Sequence, residues 1–437
     1  MEFERILDCT NLAFARSFCL VSSQVVTEIR IRNFKSIADL MLSLGRVTVL
    51  IGENGSGKSN ILEAIAFAAG AAANKLDNEF LFNRGIRVTE KEWVTSAFPP
   101  EDSSSEKQDG AIELSVIGSE VESAFECRVK PLNSSQDGEL SGWDVQPKFD
   151  SILLPDVEVL DALEKNIELA QETWGENKRE TKKTIEKLRQ FRERVRELRE
   201  IDIRRRKSKI ESAREFGLLD FLIYAPENTV LRTPPPESAI QPLGTRGEGL
   251  LRLLQSFTDE KHQDRLAELK ARLRLVGWFD DFKLPDEADT ASARLRIHDK
   301  WLAEDRAFFD QRSANEGFLY LLFYFTLLIS WRTPRFFALD NVDNGLNPRL
   351  CTAVMANIVE LATKYGKQVI CTTHNPAILD GLDLQNDQQR LYAVRRDSEG
   401  RTVVRRIHAP KPQVGEAPIR LSEAFVRGIL GGLPDHF

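Results

Sequence analysis

The sequence predicts an α/β fold with a mixed sheet core, an antiparallel β subdomain and a helical insertion. Three observations predict it. "RVTVLIG" (46–52), rich in β-branched residues, reads as a buried strand. It runs through a glycine-rich turn into "NILEAIAFAA" (60–69), which has helical apolar spacing. Alternating stretches surround that unit: "VVTEIRIRNF" from Val25, then segments 112–130 and 143–149, which read as strands of an antiparallel sheet. The terminal part alternates again. "GKQVICTTH" reads as a strand with its loop, and "QRLYAVRRD" with "TVVRRI" as a hairpin.

Between these parts the texture changes. From Lys178 to Arg214 there are 16 Lys/Arg against 7 Asp/Glu and no Gly or Pro. Ile185, Leu188, Phe191, Val195, Leu198 and Ile201 form one apolar stripe. The stretch reads as a long basic amphipathic helix, and two readings of its role stand open. It packs its stripe on a neighbour, or it presents a docking or nucleic-acid surface. "RTPPPESAIQPLG" (232–244) is a stiff connector, "GEGLLRLLQSF" (247–257) starts a helix, and 258–312 reads as charged and helical. Residues 99–110 read as a solvated loop. The predicted division is an extension at 1–24, a first lobe at 25–155, an insertion or lid at 156–310 and a second lobe at 311–437.

Composition limits the function classes. With 437 residues, 42% of them hydrophobic, the chain can bury a large core. A net charge of −7 does not mark a general nucleic-acid binder, so any such role falls to a local patch such as 178–214. Five cysteines without metal spacing predict a reduced, cytoplasmic protein without structural zinc. Met1-Glu2-Phe3-Glu4 is acidic where a secretory leader is basic. The longest uncharged apolar run, Gly317 to Trp331, is 15 residues, which predicts a buried core helix and no membrane span.

"GENGSGKS", Gly52 to Ser59, fits G-x-x-x-x-G-K-[ST] with a strand before and a helix after. The glycines let the loop turn its N–H groups inward, and the helix directs its positive end at phosphates. Lys58 is expected to bridge the β- and γ-phosphates of a nucleoside triphosphate and Ser59 to hold Mg²⁺.

Four segments, in order, resemble the SMC, RecF and OLD-type ATPases, which are ABC-class heads. They are "EIRIRNFKSI" ahead of the loop, "QRSANEG" (311–317) ahead of a long apolar helix, "FFALDNVDNGLNP" as Walker B plus D-loop, and "CTTHNPAILD" (371–380). "YAPENT" (224–229) and "RGILGGLP" (427–434) further resemble single-chain bacterial ATPases of this group, many found in anti-phage defence loci.

The resemblance implies ATP and Mg²⁺ as ligands and a site shared between two protomers. Gly52, Asn54, Gly55, Ser56, Gly57, Lys58, Ser59 and Asn60 would bind phosphates in cis, with Lys35 and Ser36 nearby. Ser313, Asn315 and Gly317 would reach the γ-phosphate in trans, and Asn347 would touch the opposite subunit. Asp340 would join Ser59 on the metal, and His374 would sense the γ-phosphate. Arg84 reads as a residue reaching the nucleotide or as a structural one.

Asn341 follows Asp340 where such ATPases carry Glu. An amide cannot take a proton from water at neutral pH. General-base help worth about 10²–10⁴-fold is therefore expected to be absent, with positioning and charge stabilisation retained. Asp343 and Glu316 are the carboxylates that could substitute, and Asn341→Glu is expected to speed hydrolysis. The leading reading is a slow ATPase whose ATP-dependent homodimer, or higher oligomer, gates a separate effector, a nuclease or toxin, in anti-phage defence. The alternative is a RecF- or SMC-like repair or maintenance ATPase that binds DNA itself, with Arg204, Arg205 and Arg206 in contact. A transporter subunit fits poorly, because the N-F-K-S opening and the long helical insertion are foreign to transporters.

Overall fold

The computed structural model describes residues 24–96, 110–120, 123–131, 142–147, 207–233, 242–285, 294–409 and 419–430, with positions 98, 165, 186, 190, 193–195 and 197. The strands are β1 Val26–Phe34, β2 Ile37–Ser43, β3 Val47–Ile51, β4 Ile112–Gly118, β5 Ala124–Pro131, β6 Trp143–Pro147, β7 Ile223–Tyr224, β8 Phe279–Lys283, β9 Arg296–Asp299, β10 Phe308–Asp310, β11 Phe336–Leu339, β12 Gln368–Thr373, β13 Gln389–Arg396 and β14 Thr402–Ile407. The helices that matter below are α1 Lys58–Ala72, α2 Asn78–Asn83, α3 Asn228–Arg232, α4 Leu250–Gln255, α5 Gln263–Leu273, α6 Glu316–Ile329, α7 Pro348–Lys364 and α8 Leu421–Val426.

Three sheets result. The central one runs β14-β13-β3-β12-β11-β7, parallel except for the β13–β14 hairpin. An antiparallel sheet runs β2-β1-β4-β5-β6, and a smaller antiparallel one β10-β9-β8. A parallel sheet needs cover on both faces, so its strands read as unbroken apolar runs. β3 shows the consequence. Val47, Val49 and Ile51 join one core with α4, α5, α6 and α7. Leu50 joins a second core with α1 and the antiparallel sheet.

Helix α6 is apolar on every side, and all its residues from Gly317 to Ile329 are buried. That matches a central core helix. Among the described residues no helix is long and apolar enough to cross a membrane. Asn315 starts it: its side chain accepts from Phe318 N at 2.8 Å.

The strands and hairpin read from sequence are present. The expectation that 258–312 is helical is corrected. Among the described residues there, only α5 and short 3-10 turns are helical, and β8, β9 and β10 form a sheet. The cause is a bulge. The β8–β9 register shifts between Phe279 and Asp281, so two residues separate the buried Phe279 and Phe282 where a regular strand needs one. Spacing by three then imitates a helix face. The insertion at 156–310 is therefore not helical throughout. Much of the basic stretch lies outside the described residues, including Arg204, Arg205 and Arg206. Residues 207–215 are helical, and Val195 of the apolar stripe is buried. The extension before Gln24, nearly all of the loop at 99–110 and most of the connector at 232–244 also lie outside them.

Candidate functional site

β3 delivers the chain to the turn at Gly52, and α1 leaves it at Lys58. Gly57 sits at the N-cap of α1 with φ 104°, a conformation that L side chains avoid. Space is also absent there, since a Cβ would lie 2.0 Å from Thr402 Oγ1. The Lys58 ammonium is folded back over the loop. It donates to Gly52 O at 2.9 Å and Glu53 O at 2.7 Å, and lies 3.5 Å from His374 Nδ1. Burial pushes it down to about 8, against the pull of Asp340, Asp343 and Glu53. Burial, and then the Lys58 charge, hold His374 below its ordinary range.

The parallel pair β11–β12 lays out a row of oxygens across from the loop. Ser59 Oγ donates toward Asp340 Oδ2 at 3.2 Å. Thr372 Oγ1 donates to Asp340 Oδ1 and accepts from Asn341 N at 2.8 Å. Thr373 Oγ1 donates to Asp343 Oδ1 at 2.6 Å. So Asp340 and Asp343 are each held by one hydroxyl of consecutive threonines on β12, and His374 follows directly. Of the two surrogate carboxylates, Asp343 is the one whose field acts on both Lys58 and His374.

Asn341 has φ 53°, the left-handed region. Asn and Asp tolerate it; a longer side chain there is strained by roughly 1–2 kcal/mol. This gives Asn341 a backbone reason that the sequence does not display.

The signature segment and the D-loop form one edge. Gly317 is buried, and a Cβ there would lie 3.1 Å from Gly345 O and 3.5 Å from Leu346 Cδ2. Ser313 and Asn315 are exposed, as is Asn347, whose side chain accepts from Leu350 N at 3.0 Å to cap α7. Burial, and then the charge of Glu316 on the same helix, push the Tyr320 phenol up to about 12.

Ser36 and Asn60 meet, with Asn60 Nδ2 donating to Ser36 Oγ at 2.7 Å. Lys35 turns instead to the buried Glu63 of α1, at 2.5 Å. Arg84 takes the structural option, donating to Phe221 O and Leu219 O at 2.7 Å each. Sequence reasoning missed Arg87, which pairs with Glu63 and donates to Asn60 Oδ1 at 3.0 Å. It also missed Glu63, Thr372, Thr373 and Thr402. The doubled hydroxyl in "CTTH" was the only local signal for any of them.

The residues fit a triphosphate with a divalent cation. Ser56 Oγ is buried in the loop without a hydrogen-bond partner among the described residues. Ser59 and Asp340 supply adjacent hard oxygens of the kind Mg²⁺ takes.

Comparisons with known proteins address the family and the fold. A family model described as "AAA domain, putative AbiEii toxin, Type IV TA system" matches residues 47–380. The DNA double-strand break repair Rad50 ATPase of Methanocaldococcus jannaschii is 38% identical over 64 residues, 14% of this chain and 6% of that protein. The DNA replication and repair protein RecF of Bacillus cytotoxicus is 40% identical over 55 residues, 12% of this chain and 15% of that protein. The chain thus matches under a sixth of either relative's length. A crystal structure of an SMC head bound to the C-winged helix domain of ScpA superposes with TM-score 0.52 and 13% identity, over 88% of this chain and 98% of that one. The chain belongs to the AAA-domain family so described, and it is an SMC- and RecF-like ABC-class ATPase head.

Proposed function

We propose that this ATPase head is an ATP-gated dimer that hydrolyses slowly and whose ATP-bound form controls a separate effector protein. The observation that carries the reading is the packing of signature on D-loop. Together they present Ser313, Asn315 and Asn347 outward on one edge. The phosphate loop, Asp340 and His374 are gathered elsewhere on the same chain. A two-fold axis would bring one protomer's edge onto the other's loop.

In this reading Gly52–Asn60 hold the triphosphate, with the Lys58 ammonium leaving the Gly52 and Glu53 carbonyls for phosphate oxygens. Ser59 and Asp340 would hold Mg²⁺, whose role when bound is to neutralise charge on the phosphates. His374, kept neutral by burial and by Lys58, accepts or donates one hydrogen bond at the γ-phosphate. Asp343, held by Thr373, is the carboxylate available to orient water. Asn341 supplies no base, so binding rather than rapid turnover sets the state. The family is described as an AAA domain, putative AbiEii toxin of a type IV toxin–antitoxin system, which supports a two-component arrangement. DNA binding by 178–214 is the second reading. The short matches to repair proteins favour it.

Ser313→Arg tests the dimer. It should leave ATP binding in cis intact and abolish ATP-induced dimerisation in light scattering. A protein that stays monomeric with ATP, or a Ser313→Arg variant that still dimerises, sinks the reading. Retention of DNA at low salt, lost steeply as salt rises, would favour the second reading instead.

A further inference from the structure

The β13–β14 hairpin does not end in solvent. Its turn end rests on the phosphate loop. Thr402 is 1% exposed. Its amide donates to Ser36 O at 2.8 Å. Its hydroxyl donates to Ser56 O at 3.0 Å and lies 2.6 Å from Ser36 Oγ. Ser36 Oγ in turn accepts from Asn60 Nδ2. Only one proton arrangement satisfies all three contacts: Asn60 to Ser36, Ser36 to Thr402, Thr402 to the Ser56 carbonyl. The chain of bonds starts on α1, crosses the β1–β2 turn and the hairpin, and returns to the loop.

A second clamp lies beside it. Arg396 Nε donates to Gly55 O at 2.8 Å, and its Nη1 to Gly400 O at 2.7 Å across the hairpin turn. A peptide unit is planar and trans, so its C=O and the following N–H point oppositely. Holding the Ser56 carbonyl toward Thr402 therefore turns the Gly57 N–H away from the hairpin, and the close approach of Thr402 to Gly57 keeps the loop from relaxing outward.

We propose that Thr402 is a positioning residue for the phosphate loop, with Arg396 as its partner clamp. The hairpin sets the loop's affinity for a nucleoside triphosphate from outside the site. This rests on the nucleotide-binding reading above.

The test uses the full chain with Mg²⁺ and ATP. Thr402→Val keeps the shape and removes the hydroxyl. It should raise the ATP Kd and KM about tenfold, the equivalent of two hydrogen bonds, with kcat at saturation within about twofold. Thr402→Ser keeps the hydroxyl and should return to the parent values. Arg396 is exposed, so Arg396→Ala tests the same clamp without disturbing the core, and it should weaken ATP about fivefold. Parent-like affinity in Thr402→Val and Arg396→Ala overturns the proposal. So does equal loss in Thr402→Val and Thr402→Ser, which would assign the effect to packing. If the unaltered protein binds no ATP, the site reading itself fails, which the parent measurement reports separately.

Discussion

The phosphate loop and the signature edge are both built on helix N-termini, yet they are finished differently. At the loop, polar groups are held from several directions: Lys58 by two carbonyls, Asp340 by Ser59 and Thr372, Ser36 by Asn60 and Thr402. At the edge, Asn315 and Asn347 each cap the helix they begin, and Ser313 lies exposed. The first half is complete within one chain. The second is solvent-facing, and in a two-protomer site its remaining partners come from another copy. In the proposed two-protomer site, preorganisation would be divided unequally, with geometry fixed at the loop and access left at the edge.

Four experiments break or sharpen that contrast. The largest effect is expected at the finished half. Lys58→Ala should lower ATP turnover by at least about 10²–10³-fold, the range for removing one charge-stabilising donor. A variant with near-normal turnover would show that the loop is not the phosphate site. Next comes Asn341, at the position where the proposed reading lacks a base. Asn341→Asp tolerates the left-handed backbone and supplies a carboxylate, so single-turnover hydrolysis should rise, by up to about 10²-fold, toward the range of general-base help. Asn341→Glu should gain less, because its backbone is strained. An unchanged rate in both would point to Asp343 as the working base.

The third is a pH effect. The Lys58 ammonium stands at about 8 in the protein without ATP, and bound phosphates raise it. Bound above free means that affinity is fully present below about pH 8 and falls as pH rises beyond it, by about tenfold per unit until the bound group also titrates. Isothermal titration from pH 6.5 to 9.5 reads this directly, and a flat profile would refute it. The smallest effect is at the edge. Asn315→Ala should destabilise the fold by about 1 kcal/mol through the lost cap, measured by urea unfolding. Dimerisation that survives this loss would assign Asn315 to capping alone.

Much of the central fold was legible because the parallel strands are unbroken apolar runs and the P-loop joins a strand to a helix in a fixed local order. Asp340 and His374 were legible for the same reason, each standing where a strand ends. What stayed hidden depends on distant partners. Glu63 is an ordinary helix residue until Lys35 and Arg87 fold onto it. Thr402 lies 346 residues from the carbonyl it holds. Asn341 read as a chemical loss, and only the backbone angle shows that the position also selects for a short amide or acid.

The bulge in β8 bears on chain length. A regular strand loses its facing pattern when one residue is added or removed. β8 already carries one residue beyond the pleat, between Phe279 and Phe282. Removing one of Asp280 and Asp281 would leave both phenylalanines directed at the same core. The strand thus holds one residue of slack, and natural length variation in this region has a place to occur without repacking α6.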